Sequence, residues 1–379
     1  IRTYKPTVKG HIVQIKKVIK ALEHAKRPII CAGGGVLLSE AENELRTFAE
    51  TYKIPVVSTM MGIGVMPTEH PLYYGMVGNN GKAYANRAMN ESDLLIMVGA
   101  RVADRAVSQP DLITQNKILV HMDVDPAEIG KNAGPTIPLV GDAKHIFEDF
   151  MKQEFTCEHD EWIETLNTYR QTMAPKRNPN PDYVDPAAFI TMLSDKMKED
   201  GVYVADVGQN QMMGVRYFKY KRTRSVVTSG GLGTMGFGLP AAMGAKFGAP
   251  DRTVCFFTGD GGMQMTIQEL GTIMQEKLDV KIIILNNNFL GMVRQWQELF
   301  FHERYSNTIM ENPDFVAIAK AYGIAGRTVE KREELDEAIA EMLNHNGAFV
   351  LVANVETCGM VYPMVPAGGS VTNMILGDK

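Results

Sequence analysis

The chain has 379 residues, with 39 Lys and Arg against 44 Asp and Glu, a formal net charge of −5. No sustained basic run meets the needs of a nucleic-acid binder, and no apolar run approaches the roughly 20 residues of a membrane span. A 45% hydrophobic and 22% charged composition is that of a soluble globular chain, at this length one of two or three domains.

Residues 11–26 read as a helix with Val13, Val18, Ile19 and Leu22 on one side. A strand at 29–32 runs into Gly33-Gly34-Gly35. Then come a helix near 39–52, a strand at 54–58, a helix near 82–91, a strand at 93–98 ending in Gly99-Ala100-Arg101, a strand at 118–123 and a helix at 143–153. Strands alternating with helices predict an α/β, doubly wound parallel sheet, placed at residues 1–155. A polar helix near 159–173 and the proline-rich run 174–181 mark 156–185 as a linker. A second alternating series fills 186–356: helices near 186–199, 209–218, 238–247, 314–322 and 333–344, and strands at 202–206, 225–228, 253–258, 281–285 and 349–354. It predicts a second doubly wound parallel sheet, followed by an irregular tail at 357–379. Cys31, Cys157, Cys255 and Cys358 have neither metal nor redox spacing. Cys31 and Cys255 fall within strand-like runs, so buried thiols in a reducing, cytoplasmic setting are expected.

The stretch 258–296 carries the most chemistry. The strand at 253–258 ends in Gly259-Asp260-Gly261-Gly262. A helical segment with Ile267, Leu270, Ile273 and Met274 follows, and the strand at 281–285 ends in Asn286-Asn287-Asn288. In a right-handed βαβ unit Asp260 and Asn287 emerge together at the carboxyl edge of the sheet. A hard divalent cation wants about six oxygens and takes several from phosphate and water. Asp260 offers a carboxylate and Asn287 an amide oxygen, while Gly261 and Gly262 let the backbone approach a phosphate at a helix start. The plainer reading, a strand-end turn with polar caps, suits a lone GDG better than a GDG paired with an NN on the next strand. Val207-Gly208-Gln209-Asn210 opens a helix and could likewise hold a diphosphate. Gly231 to Gly236 is formally a GxGxxG, which alone is weak support for dinucleotide binding; a flexible loop leading into a helix is the plainer alternative.

Gly259-Asp260-Gly261 with Asn286-Asn287 resembles the motif shared by thiamine-diphosphate (ThDP) enzymes. The run LGMVRQWQ at 290–297, with SGGLGTMGFGLPAA at 229–242, DVDPAEIGKN at 123–132 and PMVPAGGS at 363–370, is similar to acetolactate synthase catalytic subunits. The resemblance covers essentially the whole chain. It implies a Rossmann-like middle domain and a ThDP diphosphate-binding domain, and it implies that an N-terminal pyrimidine-binding domain precedes Ile1 in a longer protein.

The resemblance also implies roles. Mg²⁺ would be held by Asp260, Asn287 and the Phe289 carbonyl. ThDP would be held by Val207, Gly208, Gln209, Asn210, Gly259 to Gly262, Asn287, Phe289, Gly291, Met292 and Val293, with Gly233 and Met235 around its aminopyrimidine. Met292, Val293 and Trp296 would wall the reacting carbon, and Met292, Trp296 and Arg105 are placed among the catalytic residues. FAD would contact Gly33, Gly34, Gly35, Thr59, Met60, Gly78, Gly99, Ala100, Arg101, Asp123 and Asp142. The implied reaction decarboxylates pyruvate and joins it to a second 2-keto acid, pyruvate or 2-ketobutyrate, in branched-chain amino-acid synthesis. The implied assembly is a homodimer or homotetramer with a possible small regulatory subunit. The sequence departs from the family at three motifs: the usual VGQH ends in Asn210, the usual GMHG reads Gly78-Asn79-Asn80-Gly81, and the usual RFDDR reads Arg101-Val102-Ala103-Asp104-Arg105. Another ThDP-dependent carboligase or decarboxylase, or a catalytically silent cofactor-binding module, are the alternatives.

Overall fold

Each strand–helix series builds a six-stranded, all-parallel sheet in the computed structural model, which describes residues 5–175, 177, 179–366, 368–371 and 373–377. Ile1, Lys176 and Asn178 of the expected linker and Ala367 of the 363–370 motif lie outside the described residues.

The first sheet holds β1 (Pro28–Ala32), β2 (Val56–Ser58), β3 (Tyr73–Met76), β4 (Leu94–Val98), β5 (Ile118–Asp123) and β6 (Ile137–Val140) in the order β3-β2-β1-β4-β5-β6. The second holds β7 (Val202–Ala205), β8 (Val226–Thr228), β9 (Val254–Gly259), β10 (Val280–Asn286), β11 (Ala325–Val329) and β12 (Phe349–Asn354) in the order β11-β12-β10-β9-β7-β8. The strand order reverses between β1 and β4 in one sheet and between β7 and β9 in the other. Such switch points open a crevice at the carboxyl ends of the strands.

The central strands are apolar along their length because helices cover both faces. Ile30, Ala32, Ile96 and Val98 join one core, and Ile29, Cys31, Leu95 and Met97 join the core on the opposite face. Three strands escaped the sequence reading: β3, β6 and β11. All three are edge strands, and each dilutes its apolar run with glycine, proline or arginine (YYGM, IPLV, AGRTV). An edge strand pairs on one side only and tolerates such residues. The helix expected at 39–52 spans Glu42–Thr51, and a short helix the sequence reading lacks, Gly34–Leu38, precedes it where a glycine turn was expected.

The polar helix in the expected linker, Asp160–Thr172, buries Trp162 and Leu166, and Trp162 Nε1 donates to the Pro28 carbonyl of β1 at 3.1 Å. It is packed structure, not tether. The chain divides into two compact units, one of Ile1–Lys176 with Tyr362–Lys379 and one of Arg177–Val361. The tail expected at 357–379 is largely irregular, but its backbone is tied down within the first unit. Val365 N donates to Asn79 O, and Gln109 Nε2 donates to Gly368 O.

Candidate active site

In the second sheet the expected residues meet at one edge. β7 ends at Ala205 and leads through Asp206 and Val207 into the helix Gln209–Tyr217. Gly208 caps that helix at φ +120°, ψ −156°, a conformation essentially restricted to glycine. The first N–H groups of the helix have no partner within it. β8 runs into the exposed loop Gly231 to Thr234, where Leu232 is 93% exposed. β9 ends in Gly259, which caps the helix Asp260–Met265, so Asp260 stands in the first helical turn rather than in an open turn. β10 ends in Asn286, and Asn288 takes a left-handed φ of +56° that redirects the chain. Asparagine tolerates this region better than most residues.

The contacts of the glycines show that these loops touch. A Cβ on Gly291 would overlap Gln209 Oε1, and one on Gly262 would overlap Asp206 Oδ2. A Cβ on Gly261 would stand 3.0–3.1 Å from Met235, Leu290 and Met310. A side chain at Gly291 or Gly262 would force a neighbouring strand-end loop to shift, whereas one at Gly261 would meet only close side-chain ends.

Asp260 is 2% exposed. Burial pushes its carboxyl pKa up, and hydrogen bonds from Asn312, Gly261 and other amides act against that rise. Gly261 N donates to Oδ1 at 2.9 Å and Asn312 Nδ2 to Oδ2 at 2.6 Å. These holders are neutral amides, so neither brings a positive charge to the carboxylate. Asn287 Oδ1 accepts from Phe289 N at 3.1 Å, and Asn287 Nδ2 approaches Gln209 Oε1 at 3.4 Å. Phe289 pairs with Ile309 through Leu290 N to Thr308 O and Met310 N to Asn288 O. That pattern turns the N–H and carbonyl of Phe289 itself away from Ile309, toward the side where its N–H meets Asn287. Among the described residues no group of three or more His, Cys, Asp or Glu is placed to hold a metal. A single buried carboxylate with amide and main-chain oxygens beside it fits a hard cation that brings phosphate and water oxygens of its own.

Asn210, expected to donate to a phosphate, is buried, and its Nδ2 donates to Val207 O at 3.1 Å. That bond ties the side chain to its own loop and uses one of the two N–H groups of the amide. Gln209 is also engaged, donating to Gly359 O at 2.9 Å and to Gln295 Oε1 at 3.2 Å.

Met292 and Trp296 lie one turn apart on the helix Gly291–Phe300. Trp296 packs against Phe300 with ring centroids 5.1 Å apart, and Val293 is exposed. Met292 and Trp296 are half-buried, so this face of the helix is apolar and partly open.

Two residues escaped the sequence reading. Asp206 is fully buried. It accepts from Gly236 N at 2.9 Å, from Gly238 N at 3.3 Å and from Thr258 Oγ1 at 3.3 Å. It thus anchors the loop after β8 to β7 and β9. Burial raises its pKa against these hydrogen bonds. Asn312 is the other, and its place beside Asp260 is not signalled by any local pattern.

In the first sheet the residues expected to meet FAD also sit at the carboxyl ends of the strands, one group per strand. Gly33 to Gly35 follow β1, Thr59 and Met60 follow β2, and Gly78 follows β3. Gly99 to Arg101 follow β4, Asp123 ends β5, and Asp142 follows β6. Most have partners within the chain. A Cβ on Gly33 would overlap Gly99 O, and one on Gly35 would lie 2.6 Å from Gly99 Cα. Gly78 exchanges both backbone hydrogen bonds with the Asn86 amide, at 2.8 and 2.9 Å. Thr59 N donates to Ala32 O, Asp123 Oδ1 accepts from Asp125 N, and Asp142 caps the helix Ala143–Met151. Ala100 is buried, while Arg101 and Arg105 are exposed.

Comparison with known proteins bears on both edges. Residues 206–353 match the family described as "Thiamine pyrophosphate enzyme, C-terminal TPP binding domain", and residues 15–150 match "Thiamine pyrophosphate enzyme, central domain". The chain is 41% identical to a Methanococcus aeolicus protein named "Probable acetolactate synthase large subunit", over 98% of this chain and 65% of that protein. It is 38% identical to the "Acetolactate synthase large subunit" of Buchnera aphidicola subsp. Schizaphis graminum, over 100% of this chain and 68% of the relative. It is 37% identical to the "Acetolactate synthase isozyme 3 large subunit" of Escherichia coli (strain K12), over 99% and 67%. The chain thus spans about two thirds of the length of these relatives.

Proposed function

The chain belongs to the thiamine pyrophosphate enzyme family, among the acetolactate synthase large subunits, and from that premise we propose that it forms the cofactor-holding part of an acetolactate synthase. The observation that carries the proposal is the buried Asp260 carboxylate, held only by neutral amides where the loops after β7, β8, β9 and β10 meet. Asp260, the Asn287 amide oxygen and the Phe289 carbonyl would hold Mg²⁺. The N–H groups at the starts of the helices Gln209–Tyr217 and Asp260–Met265 would hold the diphosphate. Thiamine diphosphate, when bound, supplies the carbon acid that lets a 2-keto acid lose carbon dioxide and bond to a second 2-keto acid. This chain positions that cofactor, and Met292 and Trp296 exclude water from the reacting face.

The proposed substrates are pyruvate and, as acceptor, pyruvate or 2-ketobutyrate. The proposed setting is cytoplasmic, with all four thiols free. No helix among the described residues is long and apolar enough to cross a membrane. Leu232, Val293 and Ile309, at 93%, 48% and 74% exposure, leave apolar surface open in the second unit. This supports a site completed by a further surface, in a homodimer or homotetramer. A small regulatory subunit is part of the same family reading.

We also propose that the carboxyl edge of the first sheet takes FAD as a structural passenger. The support is the placement of all the expected contacts at the ends of the six strands. The binding would be weaker than in relatives with GMHG and RFDDR, because Asn80 and Ala103 change two polar positions. Full, tight flavin occupancy by absorbance in the purified protein would overturn the weak-binding expectation.

The function is tested by supplying the full-length protein with Mg²⁺, ThDP, pyruvate and 2-ketobutyrate. Acetolactate and acetohydroxybutyrate are the expected products. Acetaldehyde alone would assign a decarboxylase, and no turnover with tight ThDP binding would assign a silent binding module.

A further inference from the structure

The segment after the helix Gly291–Phe300 returns to the strand ends and brings Asn312 to the Asp260 carboxylate. Its Nδ2 lies 2.6 Å from Asp260 Oδ2, 2.9 Å from Asn286 Oδ1 and 3.0 Å from Asn288 Oδ1. The orientation of the amide is fixed from its other end, where Gln264 Nε2 donates to Asn312 Oδ1 at 2.8 Å. The two N–H groups of one amide nitrogen thus serve three oxygens, one just after β9 and one on each side of Asn287 at the end of β10. Asn286 is itself braced by β12, donating to Asn354 Oδ1 at 3.1 Å.

The geometry points to Asn312 as a positioning residue for the divalent cation, holding the Asp260 carboxylate and the residues that flank Asn287 in the arrangement that coordinates it. This inference rests on the cation–diphosphate reading of the site. The physical reason for an amide here is its neutrality. A carboxylate turned by a lysine or arginine would have its charge met before a cation arrived. An asparagine donates a directed hydrogen bond, leaves the negative charge intact, and leaves the other lone pairs of Asp260 for the metal. Partners that orient a metal ligand in this way typically change affinity by about 10–100-fold when removed.

The test is a calorimetric Mg²⁺ titration of the full-length protein at saturating ThDP, for the wild type, Asn312→Ala, and Asn312→Leu, which keeps the volume and removes the donor. Both variants should bind Mg²⁺ about 10–100-fold more weakly. Turnover should return toward the wild-type kcat when Mg²⁺ is raised, since the ligands themselves remain. A merely structural residue would not produce that split between the Mg²⁺ activation constant and kcat. Folded variants, by circular dichroism, that keep the wild-type Mg²⁺ constant would overturn the inference. If both variants misfold, Gln264→Ala carries the test, because it frees the Asn312 oxygen without touching Asp260. A few-fold weaker Mg²⁺ constant is expected there, and an unchanged one overturns the inference. A wild-type protein whose ThDP binding ignores Mg²⁺ would instead refute the underlying function.

Discussion

The two sheets share an architecture and differ at their carboxyl edges. In the first, the loops close on one another: Gly33 and Gly35 lie against the Gly99 backbone, the Asn86 side chain closes Gly78, and the Asp142 side chain caps a helix. In the second, the loops meet around two buried carboxylates, Asp206 and Asp260, with an exposed glycine loop and an open apolar helix beside them. A doubly wound sheet opens a crevice at the strand ends, but what fills it is decided residue by residue. The first edge satisfies most of its own polar groups. The second retains a carboxylate that burial drives toward neutrality.

The largest expected effect breaks the comparison at its glycines. Gly33→Ala forces a Cβ onto the Gly99 carbonyl, and Gly262→Ala forces one onto the Asp206 carboxylate. Each should lose about 3 kcal/mol, the upper end of overpacking, because neither neighbour can move freely. Gly231→Ala meets nothing within 4 Å and should leave stability unchanged. Thermal unfolding checks all three, and a Gly33→Ala protein as stable as Gly231→Ala would mean that the first edge is not closed on itself.

Next comes Trp296→Leu. On the proposed reading its rigid indole stands beside the reacting carbon and buries the extra methyl of 2-ketobutyrate, worth roughly 1–3 kcal/mol of discrimination. The variant should lose most of its preference for that acceptor and keep pyruvate decarboxylation. A product ratio equal to wild type in a mixed-acceptor assay would return Trp296 to the ordinary core.

A smaller effect separates the two sheets directly. Cys31 in β1 and Cys255 in β9 are both fully buried, and burial pushes each thiol up to about 12, whereas Cys358 is exposed. Alkylation should reach Cys358 first and the two strand cysteines only through opening of their sheets. Mg²⁺ and ThDP at ten times the dissociation constant should slow Cys255 labelling about tenfold through linkage, with Cys31 unaffected. Equal protection of both would mean that the cofactor is not confined to the second sheet.

Much of this was legible because the central strands are apolar runs that end abruptly in chemistry. Thr258 gives way to Gly259-Asp260, and Leu285 to Asn286-Asn287. The edge strands were not legible, since pairing on one side leaves room for Gly75, Pro138 or Arg327 in β3, β6 and β11. Asp206 was read as a strand end because nothing in its neighbourhood announces that it holds Gly236 and Gly238. Asn312 lies 52 positions beyond Asp260 and reaches it only through tertiary structure. The local bond from Asn210 Nδ2 to Val207 O was likewise illegible, since the residue type announces a donor but not where its two N–H groups point.

The central claim is that Asp260 is the charged ligand of a cation that carries ThDP to the second sheet. It is tested most directly by calorimetric titration of ThDP, with and without Mg²⁺, into the full-length wild type and Asp260→Ala. The account predicts Mg²⁺-dependent binding in the wild type and none in the variant, because amide and water oxygens do not replace the one carboxylate. ThDP affinity unchanged in a folded Asp260→Ala protein would contradict it.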